Sequence, residues 1–210
     1  MTKDDDVAPF VARLLGWRSA MMRQTASGRR APEAAQARAA LAEIRRGLGK
    51  RPGEALRAYA CVAPLIPVAA SDEQRDALFL VATLFADHLL PRDKPAGEKA
   101  NYTLGHAFRA MEATEQGLPE APLPAVERRF TALLNASSTR LPHHLRQAVR
   151  LAGTRGVAID YFQLTRDLLT LLADDDHDHR ERVKLAWARA YWGRPQVTAD
   201  QPAAAQEQES

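Results

Sequence analysis

The sequence predicts an all-α fold, a two-lobed helical bundle of about nine helices, and three observations carry that expectation. Nearly every apolar segment repeats with the helical period, and none alternates as a strand would. Helix-opening prolines and capping signatures punctuate those segments. A stretch with three prolines, residues 117–124, separates about five of them from about four. The expected division is an N-terminal lobe of residues 7–117, a C-terminal lobe of 124–193 and a disordered tail of 194–210, rich in Gln, Ala and Glu.

Taken in order, the first helix is expected over residues 8–24, with Pro9 in its opening turn and Phe10, Leu14, Trp17 and Met21 inward. Pro32 opens a second, in which Leu41, Ile44 and Leu48 form one stripe and Gly47 and Gly49 end the helix. A short helix over 54–62 follows, with Leu56 and Tyr59 inward, stopped by Pro64 and Pro67. Ser71 and Gln74 make a capping box before the apolar helix of Leu78, Val81, Phe85 and Leu89, which Pro91 stops. Residues 91–99 read as a polar, mobile loop. Leu104, Ala107, Phe108 and Met111 then mark a fifth helix, closed at Gly117.

Beyond the proline-rich stretch, Val126, Phe130, Leu133 and Leu134 define a sixth helix. Pro142 opens a seventh through Leu145, Ala148, Val149 and Ala152. Asp160 and Gln163 form a second capping box before Leu164, Leu168, Leu171 and Leu172. Val183, Trp187, Ala190 and Tyr191 complete the set, ending at Gly193.

The net charge of +3 hides an asymmetry. Residues 7–70 carry eleven Lys/Arg against three acids, whereas residues 71–199 carry seventeen of each sign. A basic first third on a balanced chain points to a polyanion partner. Arg45 and Arg46 close the basic helix, with Lys50 and Arg51 at its mouth. A second tract supports the first. No acid occurs between Arg128 and Ile159, yet Arg128, Arg129, Arg140, Arg146, Arg150 and Arg155 do. Arg146 and Arg150 share a helix face with His143, and two arginines four residues apart repel unless an anion sits between them.

Other chemistries find little support. Asp174 to His179 has the composition of metal ligands, but they are crowded in sequence, and an acidic solvated loop is the favoured reading. A helical metal phosphohydrolase would need further inward ligands, for which His88 and His106 are the candidates. No Gly-rich phosphate loop, nucleophile elbow or Cys–His pair appears, so neither an enzyme nor a cofactor is expected. Trp17, Trp187 and Trp192 read as packing anchors rather than base-stacking platforms, which favours contact with phosphate backbone. A single cysteine, Cys61, excludes an internal disulfide, and the acidic N-terminus does not resemble a signal peptide. With no long apolar run, no membrane span is expected either, and the location is expected to be cytoplasmic.

The order of short signatures resembles a known family. Leu41 to Gly47 is followed by Tyr102 to Phe108, Glu127 to Phe130, His144 to Leu151, Ile159 to Tyr161 with Asp167 and Leu168, and Trp187 to Trp192. Together they are similar to the CasB family, the small subunit of the type I-E CRISPR surveillance complex Cascade. The resemblance implies a helical protein without enzymatic activity that sits as a pair beside the other Cascade subunits. It implies contact with guide RNA and target DNA, at the hybrid and at the displaced strand. The family's basic positions fall on Arg45, Arg46, Lys94 or Lys99, Arg128, Arg129 and Arg146, and on Arg180 or Arg182. The alternative left open is a scaffold whose basic faces meet acidic protein surfaces.

Overall fold

A computed structural model describes residues 3–22, 32–92, 102–113, 117, 121–173 and 175–193. Their helices are α1 (Lys3–Met22), α2 (Pro32–Arg46), α3 (Leu56–Val62), α4 (Asp72–His88), α5 (Leu104–Ala110), α6 (Pro124–Leu134), α7 (Leu141–Thr154), α8 (Tyr161–Ala173) and α9 (His177–Trp192). Two short 3₁₀ turns, Pro52–Glu54 and Ala63–Leu65, flank α3. No β-strand occurs among the described residues, so the fold is all-α, with five helices before the proline-rich stretch and four after it. Of the loop expected over 91–99, Pro91 is buried and Arg92 N–H is held by Ile159 O, while residues 93–99 and the expected tail of 194–210 lie outside the described residues.

The organising helix is α4. Ser71 caps it, its hydroxyl accepting from Gln74 N–H while Gln74 Oε1 accepts from Ser71 N–H. From Ala77 to Ala86 every side chain is buried, so this helix is wrapped rather than amphipathic. It packs against α8, α2 and α7, and α1 packs against α2 and α8. A single apolar core runs from Val7 to Tyr191 and draws residues from both sides of the 117–124 stretch. Behind Leu89, which adopts a left-handed conformation, Leu90 and Arg92 exchange backbone hydrogen bonds with Ile159 and tie the end of α4 to the α7–α8 link.

Three local expectations are corrected. The first helix begins at Lys3, so Pro9 lies inside it rather than in its opening turn. The short helix begins at Leu56, and Ala58 and Val62 face the core; Leu56 itself is 69% exposed. Its seven residues have their register set by packing against neighbours rather than by Leu56. The fifth helix ends at Ala110, well before Gly117. There Gly105 lies under α9: a Cβ on it would come within 2.0 Å of Trp187 O, so only glycine permits this crossing.

Candidate nucleic-acid interface

The two basic tracts meet. α2 closes through Gly47, where a Cβ would lie 2.9 Å from both Ala58 Cβ and Phe79 Cζ, so the chain end is drawn tightly onto α3 and α4. Two residues on, Gly49 takes a φ of +87°, which glycine tolerates, and its Cα faces the guanidinium of Arg146 on α7. Lys50 and Arg51 follow directly. Together with His143, Arg146, Ser138 and Thr139 they line a groove of about 520 Å³, shared with Glu73 and Asp76 of α4. Burial pushes the Asp76 carboxyl up, and Arg51 pulls against that shift.

One turn earlier along α2 the contact is an ion-pair bridge. Arg45 Nε donates to Asp87 Oδ1 at 2.9 Å, and Arg150 Nε from α7 donates to Asp87 Oδ2 at 3.4 Å. The Asp87 side chain is only 9% exposed, whereas those of Arg45 and Arg150 are 63% and 67% exposed. Two positive charges therefore stand outward over one recessed carboxylate, a local excess of +1. Arg46, next along α2, is exposed and paired with Glu43 of its own helix.

The remaining expected positions fall elsewhere. Arg128 and Arg129 are exposed on α6, Arg129 donating to Ala125 O of its own helix. Among the described residues, neither shares a partner with the Asp87 bridge. Arg180 and Arg182 donate to the carbonyls of Asp175 and Asp178 at the start of α9. Lys94 and Lys99 lie outside the described residues. The structure thus brings Arg45 and Arg46, in the last turn of α2, beside Arg146 and Arg150 along the middle of α7.

The acidic tract has a structural use. Asp176 is the N-cap of α9, its carboxylate accepting from the N–H groups of Asp178 and His179. Among the described residues, no three His, Cys, Asp or Glu side chains are placed to hold a metal. His88 is buried beneath Gly153 with Nε2 3.0 Å from Val157 O, and burial lowers its pKa. His106 Nδ1 accepts from Thr103 N–H and caps α5.

Two carboxylates that sequence reading passed over matter most. Asp87 is the only Asp, Glu, Lys or Arg between Asp76 and Arg92, an acid closing an apolar run, and that isolation was its signal. The other is Glu112, fully buried, which accepts from Arg109 Nη1, Leu123 N–H and Tyr191 Oη–H. Burial and this acceptor push the Tyr191 hydroxyl pKa up.

Fold and surface define an all-helical protein that displays basic side chains from adjoining helices, braced by a recessed carboxylate. Comparison with known proteins places that class: residues 40–192 match the family described as CRISPR-associated protein Cse2, and the chain belongs to it. A Cse2 protein of Thermus thermophilus is 37% identical over 158 residues, covering 74% of this chain and 79% of that protein. The crystal structure of CasB from Thermus thermophilus matches with a TM-score of 0.60 and 30% identity, over 92% of this chain and 100% of that one. A chain of a CRISPR RNA-guided surveillance complex shares the fold at 22% identity, with a TM-score of 0.59, over 89% of this chain and 95% of that one.

Proposed function

We propose that this chain is a non-catalytic subunit of a CRISPR surveillance complex of the Cascade type, acting in the cytoplasm in antiviral defence. In this reading it holds the nucleic-acid backbone at the guide RNA–target DNA hybrid and the displaced DNA strand, and so stabilises the opened duplex. Its partners are the other Cascade subunits and a second copy of itself. Sequence in such complexes is read by guide pairing, which leaves backbone contact to the protein.

The observation that carries the reading is the convergence of Arg45 and Arg150 on Asp87, with Arg146 seated against Gly49 one step away. Exposed guanidinium groups suit phosphate oxygens, which they grip in pairs. The proposed contacts are Arg45, Arg46, Arg146 and Arg150 as one group, Arg128 and Arg129 as a second on α6, and Lys94 and Lys99. The proposed lobes, 7–117 and 124–193, each supply one basic helix, α2 and α7, so the ridge lies where they join.

The test uses the assembled complex. Replacing Arg45 and Arg150 by Ala should weaken target-DNA binding and lower the salt slope by about one per lost phosphate contact. An unchanged slope at unchanged affinity overturns the assignment.

A further inference from the structure

We infer that Asp87 is a positioning residue for nucleic-acid binding: its carboxylate fixes the spacing between the Arg45 and Arg150 guanidinium groups so that one backbone meets both. The inference rests on the backbone-binding reading above. It concerns a residue of opposite charge to the ligand, which electrostatics alone would class as an obstacle.

The geometry supports a brace. Asp87 stands on α4, the most enclosed helix of the fold, so its carboxylate has a fixed origin. It takes one arginine on each oxygen, from helices on either side of it in sequence, α2 and α7. Both arginines use Nε for this contact. A guanidinium carries five N–H donors, so the two Nη groups of each are left for a ligand. Without the acid, two like charges on long side chains would separate and sample many rotamers, and a phosphate would have to order both. With it, the pair is set before the ligand arrives, and the ordering cost on binding falls.

A charge argument and a positioning argument then predict opposite signs. Asp87→Asn removes a negative charge beside the ligand. If Asp87 only competes with phosphate, the variant binds more tightly. If it positions the arginines, the variant binds more weakly, by about threefold to tenfold, despite the added net charge. Asp87→Glu keeps the charge and moves it by one methylene, and weaker binding is expected there too.

The experiment measures binding of the full chain to fluorescein-labelled single-stranded and double-stranded DNA at several salt concentrations. Thermal unfolding of each variant confirms folding. A third variant, Arg45→Ala with Arg150→Ala, is compared with a fourth that adds Asp87→Asn. Positioning requires that Asp87→Asn weaken binding only when the arginines are present. Tighter binding by Asp87→Asn, or an equal loss in the arginine-free background, overturns the inference while leaving the backbone reading intact. Loss of folding in both Asp87 variants also overturns it, since the acid then serves stability. If the arginine pair can be removed without any change in affinity or salt slope, the backbone reading itself fails and the positioning role falls with it.

Discussion

Three carboxylates anchor contacts between elements in this molecule, two of them to one end and the third to another. Glu112 is sealed, and its partners are a tyrosine hydroxyl, a backbone N–H and Arg109, which stitch α5, the entry to α6, and α9 together. Asp167 behaves similarly, accepting from Trp187 Nε1 at 2.6 Å and Gln163 Nε2 at 2.8 Å. Asp87 is recessed too, but both its partners are exposed guanidinium groups. An acid that meets single-use donors consumes them and becomes a rivet. An acid that meets only exposed guanidinium groups uses one of five donors on each and leaves a cationic face. Exposure of the donors separates fastening from display, since Arg109, the guanidinium on Glu112, is itself largely enclosed.

That contrast can be broken at three points. The largest effect is expected at Glu112. Glu112→Ala strands a buried hydroxyl and a backbone N–H, and costs about 3 kcal/mol, read from denaturant unfolding. A cost below about 1 kcal/mol would show that water replaces the acid and that the centre is no rivet.

Asp167 gives the second test. Burial raises its pKa from the usual 3.8 to about 6, against the pull of the Trp187 and Gln163 bonds. The folded chain thus keeps a proton that the unfolded chain has lost. Stability from this group is full below about pH 4 and falls by about 3 kcal/mol as pH rises through about 6. Asp167→Asn should flatten that part of the unfolding profile; an unchanged profile would place the proton elsewhere.

The smallest effect is expected at the display site. Arg45→Ala should change unfolding free energy by about 0.5 kcal/mol or less, as exposed ion pairs do. A loss as large as that of Glu112→Ala would make Asp87 a rivet like the others and erase the distinction.

Much of the fold was legible because helices advertise themselves in period and punctuation. Leu145, Ala148, Val149 and Ala152 are all buried as their spacing implies, and the Ser71 box is formed as written. The second box is half formed. Asp160 accepts from Gln163 N–H, but the Gln163 side chain turns away, its Nε2 donating to Asp167 and its Oε1 accepting from Arg166. Leu56 misled for a related reason: seven residues give too few turns for a stripe to be read. At the surface site, the arginines were visible as a cluster of charge in sequence. Their meeting was not, since it depends on Asp87 and on a glycine turn, Gly49, that packs under Arg146. Polar residues used inside a core carry no periodic mark, which is why Asp87 and Glu112 escaped the pattern.

The placement of α9 has a consequence for synthesis. Trp187 and Tyr191 sit within the last turns of the final helix, yet they satisfy acids laid down on α8 and after α5. A nascent chain therefore carries Glu112 and Asp167 without their closing donors until the ribosome has released almost all of residues 1–192. Closing these two centres is a terminal event, and fragments ending before α9 leave both acids without those donors.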